Sequence, residues 1–287
     1  MRIALVQLLL SDDPQDNKSA VLEAIERGKN NQVDLLVFPE ATMKAFGAGR
    51  LDTVAEPLDG PWATEIAEAA AAAGVTVVVG MFRPADTVVR DGKERNRIFN
   101  TLLCAGPEED GSPFVEYYDK RHLFDAFGYN ESDTVAPGEG LVVVDIPVRN
   151  EESGSVSLGL STCFDVRFPE QFVSLAELGA QVIALPASWN DGPGKVRQWQ
   201  TLVSARALDS TCFVAATGAA RPGGAAKAGR PEGPTGVGHS FVASPDGDVL
   251  GSAGYDQQFV MVDIDLNEIS RLRKEIPVLE IRDKERE

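Results

Sequence analysis

The sequence predicts an α/β protein of two β-sheets packed face to face with helices outside, formed as one domain over residues 1–287. Three observations predict it. Short runs rich in β-branched residues alternate with amphipathic stretches, the pattern of strands exchanging with helices. Proline opens and glycine closes several of the amphipathic stretches. The order strand, helix, strand, helix, strand, strand, strand runs up to Lys120 and recurs from Ser155 to Ile264, although no residue-level repeat accompanies it.

Taken in order, Ile3–Leu10 reads as the first strand, and Asp13-Pro14 opens a helix with Val21, Leu22 and Ile25 on one face. Val33–Phe38 is the second strand, Pro61–Ala73 a helix closed by Gly74, and Val75–Phe82 the third strand. Asn100–Ala105 and Phe114–Tyr118 follow as strands, then Ser155–Leu160. Pro169 opens a helix that stops at Gly179, before the strand Gln181–Pro186. Lys195–Leu208 has helical spacing at Trp199, Leu202, Val203 and Ala207, and Cys212–Ala216 is a strand. Gly218 to Gly238 is rich in Gly, Ala and Pro without periodicity, and reads as a long loop, either a surface excursion or a lid. His239–Ala243 is a strand, and Asp-Gly within Ser244-Pro-Asp-Gly-Asp248 signals a hairpin turn. Phe259–Ile264 is the last strand, and Asp265-Leu-Asn-Glu268 has the spacing of a capping box opening a last helix.

Composition narrows the function classes. A chain of 30.7 kDa with 43% hydrophobic residues can bury a sizeable core. Its formal charge of -17 and pI near 4.6 oppose nucleic acid and anionic membrane surfaces as partners, because the long-range field repels them. A negatively charged substrate would need locally placed cations. The longest apolar stretch, Ala69 to Phe82, is shorter than the ~20 residues of a membrane span and is split by Gly74. No signal peptide precedes the apolar start, and three cysteines give no disulfide framework, so a cytoplasmic protein with reduced thiols is expected.

Three strands end on a reactive side chain. Val33–Phe38 leads to Pro39-Glu40, Phe114–Tyr118 to Asp119-Lys120, and Ser155–Leu160 to Ser-Thr-Cys163. Ligand sites of α/β sheets collect at such carboxyl ends. A base, a cation and a thiol there form a catalytic set. A Cys attacks a carbonyl as thiolate, and its ordinary pKa lies about 4 units above that of Glu, roughly 6 kcal/mol against proton transfer. Burial raises a Glu pKa and a Lys ammonium lowers that of a thiol, so the set closes its own gap. Lys120 then serves the oxyanion of a tetrahedral intermediate, helped by the backbone N–H of Phe164.

Phe38-Pro39-Glu40-Ala41, Tyr118-Asp119-Lys120-Arg121-His122-Leu123-Phe124-Asp125 and Cys163-Phe-Asp-Val-Arg167-Phe168-Pro169-Glu170 resemble the three signature blocks of the nitrilase superfamily of carbon–nitrogen hydrolases. The similarity continues through Glu131-Ser132, Pro137-Gly138, Arg206-Ala207 with Asp209, and Gly238-His239-Ser240. The resemblance implies a four-layer αββα sandwich, homodimers or higher homo-oligomers, no cofactor, and Glu131 as a second glutamate orienting substrate and lysine. Leu123-Phe-Asp125 with Glu131-Ser-Asp133 is most similar to the Nit branch, which contains ω-amidases and amidases of deaminated glutathione; Leu272–Arg282 is nearer the latter. It implies an amidase that releases ammonia from a small carboxylate-bearing amide.

Other readings stand beside this one. Cys104 and Cys212 lie inside apolar strands as ordinary buried thiols, and Cys163 could be a third. Glu40 and Lys120 could be a structural ion pair. Glu139 competes with Glu131 for the second glutamate. His122 or His239 could pair with Cys163 as in cysteine proteases, and so few histidines do not suggest a zinc site. Trp189 and Asn190, after Gln181–Pro186, are placed to line a substrate pocket, whereas Trp199 reads as core. Arg167 either binds a substrate carboxylate or braces the cysteine loop, with Arg197 as the alternative anchor. N-Carbamoyl amino-acid hydrolases commonly carry two adjacent arginines where this chain has Val166-Arg167, which counts against that alternative. A non-catalytic small-molecule-binding member is the alternative from another class.

Overall fold

The computed structural model describes residues 1–90, 92–126, 128–149, 154–231 and 235–284. The chain runs through β1 (Arg2–Gln7), α1 (Pro14–Asn30), β2 (Leu35–Val37), α2 (Pro61–Ala73), β3 (Thr76–Arg90), β4 (Lys93–Pro107) and β5 (Pro113–Asp119). The short strands β6 (Asp125–Ala126), β7 (Tyr129–Asn130) and β8 (Val135–Ala136) lead to β9 (Val143–Pro147). Then come β10 (Ser155–Leu160), α3 (Pro169–Glu177), β11 (Val182–Ala187), α4 (Lys195–Ser210), β12 (Phe213–Gly218), β13 (Phe241–Ala243) and β14 (Val249–Ser252). β15 (Gln258–Asp263), α5 (Asn267–Glu275) and α6 (Val278–Lys284) complete it.

Two large sheets form, with strand orders β15-β1-β2-β3-β4-β5 and β14-β13-β12-β11-β10-β9, and β6 pairs with β7 in a small two-stranded sheet. β8 adds to the first beside β4. Within each large sheet three parallel strands, β1-β2-β3 or β10-β11-β12, are flanked by antiparallel neighbours on both sides. The recurrent element order thus gives the same sheet twice.

Alternation along the strands divides the apolar residues among three cores. Leu36, Val77 and Val79 face Val21, Ile25, Trp62 and Ile66 of α1 and α2. Their neighbours Leu35, Val37 and Val78 face Leu158, Val182 and Phe213 of the other sheet. Ile183, Leu185 and Val214 face Phe172, Leu175, Trp199 and Val203 of α3 and α4. Three cores between four layers make an αββα sandwich. Sheets covered on both faces explain why the central strands read as continuous apolar runs.

Some boundaries differ from expectation. β3 and β4 extend as a long hairpin well past Phe82 and before Asn100. Their outer halves are half-exposed and polar, so no apolar run marks them. Val143–Pro147 is an edge strand that the sequence did not announce. Leu8 to Leu10 lie beyond β1, because β15 pairs with it only as far as Gln7. The hairpin at Ser244–Asp248 forms between β13 and β14, with Gly247 at φ +89°. Asp265 accepts from Asn267 N at 3.0 Å, not in the expected capping box, and α5 starts two residues later. Of the loop Gly218 to Gly238, residues 232–234 lie outside the described residues.

Candidate active site

Glu40, Lys120 and Cys163 leave three strands at one edge of the sandwich. β5 runs parallel to β2 because two antiparallel steps through β4 restore its direction. Both therefore end at the same edge, with Phe38-Pro39-Glu40 after β2 and Lys120 after β5. In the second sheet, parallel β10 and β11 end on Ser161-Thr162-Cys163 and on Ser188. The two edges are joined directly: Ser188 N donates to Glu40 Oε2 at 2.8 Å.

Each turn is locally built. After Glu40 the chain enters positive φ at Ala41, +58°, and folds over Gly80 of β3. Gly80 N donates to Pro39 O and Met43 N donates to Gly80 O. A Cβ on Gly80 would collide with the backbone of Pro39–Ala41, so only glycine admits this turn. Lys120 N donates to Asn100 O at 2.9 Å, and Gly138 N to Lys120 O at 2.8 Å. Cys163 has φ +46° and begins a short 3-10 turn, Cys163–Arg167. The buried Asp165 carboxylate organises that turn, accepting from Thr162 N at 2.9 Å, Tyr118 OH at 2.7 Å and His122 N at 3.1 Å. Arg206 Nη1 braces it further through Val166 O at 3.1 Å.

At the centre, Lys120 Nζ lies 3.0 Å from Glu40 Oε1 and 3.0 Å from both oxygens of Glu131. Asn100 Nδ2 donates to Glu40 Oε1 at 2.8 Å and reaches Glu131 Oε1 at 3.4 Å. Phe124 N donates to Glu131 Oε2 at 2.6 Å. Glu40, Lys120, Glu131 and Asn100 are all buried, whereas Glu139 is exposed. Burial alone would lower the Lys120 pKa, but Glu131 and then Glu40 outweigh it and hold the ammonium well above its ordinary value. Burial, then the charge of Glu40, pushes the Cys163 thiol well up, with Lys120 pulling the other way. The thiol thus feels Glu40 and Lys120 together, while the nearby Ser188 N–H is already given to Glu40 Oε2. A neutral thiol within the field of a carboxylate and an ammonium can pass its proton to the carboxylate as it attacks a carbonyl carbon.

The histidines are engaged elsewhere. His122 Nδ1 is 2.8 Å from Asp165, its ring stacked on Phe168, and His239 packs edge-on against Tyr255. Cys104 and Cys212 are buried in strand and loop, with burial pushing both thiols up. Among the described residues no group of three His, Cys, Asp or Glu side chains is arranged to hold a metal ion.

Of the substrate-pocket candidates, Phe164, Arg167 and Trp189 come together. The Arg167 guanidinium sits 5.1 Å over the Trp189 ring and 6.0 Å from the Phe164 ring, and also donates to Gln198 Oε1 at 3.3 Å. Asn190 and Arg197 are exposed. Lys195 stands near Arg167: burial, then that second positive charge, lowers its pKa. Lys195, Asn100 and Ser188 are absent from the sequence-based set. Asn100 had a signal, a lone amide opening an otherwise apolar strand; Ser188 acts through its backbone and had none. The Gly218–Gly238 loop packs against the same edge, with Thr235 hydrogen-bonded to the Ser188 hydroxyl and Gly236 N donating to Trp189 O at 3.1 Å.

Comparison with known proteins agrees with this geometry. The carbon-nitrogen hydrolase family profile matches residues 2–274. Hydrolase Rv0480c of Mycobacterium tuberculosis is 46% identical, over 97% of this chain and 94% of its own. Omega-amidase NIT2 of Homo sapiens is 29% identical, over 96% of this chain and 93% of its own. Among solved structures, Saccharomyces cerevisiae Nit3, a member of branch 10 of the nitrilase superfamily, superposes with TM-score 0.75 at 25% identity, over 97% of this chain and 94% of its own. XC1258 of Xanthomonas campestris, a CN-hydrolase superfamily protein with an arsenic adduct in its active site, gives TM-score 0.75 at 27% identity, over 97% and 96%. With the family's profile spanning nearly all of it and its sandwich shared with solved members, the chain belongs to the carbon–nitrogen hydrolases, on the Nit branch of the nitrilase superfamily.

Proposed function

We propose that the protein is a cysteine-dependent amidase that hydrolyses a small carboxylate-bearing amide through a thioester and releases ammonia. One observation carries the reading: the buried Glu40 and Glu131 share Lys120 at 3.0 Å, at the edge where Cys163 ends its strand within the charge field of Glu40 and Lys120. In this mechanism Glu40 takes the proton as sulfur attacks the amide carbon. The charge moves onto the carbonyl oxygen, where Lys120 and the Phe164 N–H receive it. Glu40 then returns the proton to the departing nitrogen, and ammonia leaves a thioester on Cys163. Water, deprotonated by Glu40, cleaves that ester in the second half. Glu131 holds Lys120 in line throughout. The steps use only side chains of this chain, substrate and water.

The carboxylate-bearing substrate is supported by the ω-amidase relatives and by Arg167 with Lys195, two neighbouring cations on a protein of net charge -17. The Phe164, Arg167 and Trp189 side chains, with Asn190 beside them, form the proposed wall of the pocket. The reading treats the chain as a single hydrolase domain, working as a homodimer in the cytoplasm, where its three free cysteines stay reduced. Among the described residues no helix is long and apolar enough to cross a membrane.

A substrate panel tests the proposal: α-ketoglutaramate, succinamate, deaminated glutathione and N-carbamoyl-β-alanine, scored by ammonia release. Turnover of the first three is expected. Carbon dioxide together with ammonia from the fourth would point to a carbamoyl hydrolase, and binding without ammonia from any would leave only a binding protein.

A further inference from the structure

Two buried glutamates share one cation. With Lys120 charged, Glu40, Glu131 and Lys120 carry a net negative charge inside the protein, and like carboxylates in one site favour protonating one of the pair. A proton on Glu40 would remove the base. The donors around the pair are therefore decisive. Glu40 accepts from Lys120 and Asn100 on one oxygen, and from Ser188 N on the other. Glu131 accepts from Lys120 on both oxygens, from Phe124 N on one, and more weakly from Asn100 on the other. Asn100 Nδ2 carries two hydrogens and lies within reach of both carboxylates, at 2.8 Å and 3.4 Å. Its position is fixed by the sheet, since Asn100 O takes the Lys120 N–H across the β4–β5 edge.

From this juxtaposition we propose that Asn100 is a positioning residue that keeps Glu40 and Glu131 ionised together, so that Glu40 is free to take the Cys163 proton. The inference rests on Glu40 being the base. The titratable groups facing the pair are Lys120 after β5, Cys163 after β10 and the Tyr129 phenol of β7, which senses Glu131. One residue further along, the Arg83–Asp119 pair joins β3 to β5. Asn100 differs from all of these in donating without titrating. Losing it leaves the charges in place and removes the neutral bridge. The acid limb of any process that needs ionised Glu40 then moves to higher pH. Hydrogen bonds to charged groups are worth enough to move it by about one pH unit.

The test needs no substrate. Alkylation of Cys163 by iodoacetamide, read by mass spectrometry against pH, is compared in the wild type, Asn100→Asp, Asn100→Leu and Glu40→Gln, with circular dichroism as the check on folding. The expected result is an acid limb set by Glu40 and lost in Glu40→Gln. It should move up by about one pH unit in Asn100→Leu and further in Asn100→Asp, which adds a third carboxylate. If Glu40→Gln leaves the profile unchanged, the base assignment fails. If Glu40→Gln changes it while both folded Asn100 variants keep the wild-type limb, the base stands and the role of Asn100 is overturned. Asn100→Asp keeps the shape of the side chain, so the comparison survives should Asn100→Leu fail to fold.

Discussion

Replacing Lys120 by methionine keeps most of the side-chain volume and removes one charge. Its Nζ lies 3.0 Å from three carboxylate oxygens, in a site where Lys120, Glu40 and Glu131 are all at most 3% exposed. Breaking a buried ion pair from one side costs about 3–5 kcal/mol, because the partner charge stays buried. For a chain of this length that lowers the melting temperature by on the order of 10 °C. The pH dependence carries the sharper signature. In the wild type the raised Lys120 pKa keeps its contribution complete below its ordinary value near ~10.4, so it is constant from pH 5 to 8. In the variant two like carboxylates stay buried without their cation, and taking up a proton relieves that cost. Protons are more available at low pH, so the deficit against wild type narrows from pH 8 to 5. Thermal melts at pH 5, 6, 7 and 8 read this directly. Turnover should fall about 100- to 1,000-fold with the loss of an oxyanion donor. A variant melting with the wild type at every pH would mean that the three charges do not share one buried site. A rise in KM alone would mean that Lys120 binds substrate and does no more.

Cys163→Ala should abolish turnover with the melting temperature little changed, and mass spectrometry with a slow substrate should find the acyl adduct on Cys163; an adduct on Cys104 or Cys212 would overturn the assignment. Gly80→Ala should displace the Glu40 turn, because the added methyl meets the backbone of Pro39–Ala41; it is expected to cost at least about 1–3 kcal/mol in a denaturant melt, with turnover lost at least tenfold. Unchanged activity in a folded Gly80→Ala would show that the turn tolerates a shift. Arg167→Met should weaken turnover of succinamate far more than of a neutral amide of similar size, and equal losses on both would reduce Arg167 to a brace of the cysteine loop.

The central elements were legible because both sheet faces are buried: β1, β2, β10, β11 and β12 read as plain apolar runs. Glu40, Lys120 and Cys163 stood out as polar residues at the ends of such runs, and Asn100 escaped because it begins one. The outer half of the β3–β4 hairpin was hidden by its polar, half-exposed alternation, and β9 by its place at a sheet edge. Ser188 could not be read at all. It acts through a backbone N–H that any non-proline residue supplies, and only the meeting of the two sheets gives it a partner. The cysteine turn illustrates the same limit. Asp165 lies inside the quoted motif, yet its four donors come from Thr162, Tyr118 and both the backbone and the ring of His122, groups that only the fold gathers.

The strand that borders β1 comes from the far end of the chain. β15 pairs with β1 along the whole of Arg2–Gln7, and Met1 and Ile264 close the seam through their backbones. The sheet that carries Glu40 is thus the first begun and the last finished. Until β15 docks, β1 offers an unpaired edge, open to a neighbouring chain. Contacts this distant in sequence form slowly, so the interval of exposure is long. A substitution within Gln258–Asp263 would therefore act on folding yield before it acted on the reaction, and would be felt at a glutamate it never touches.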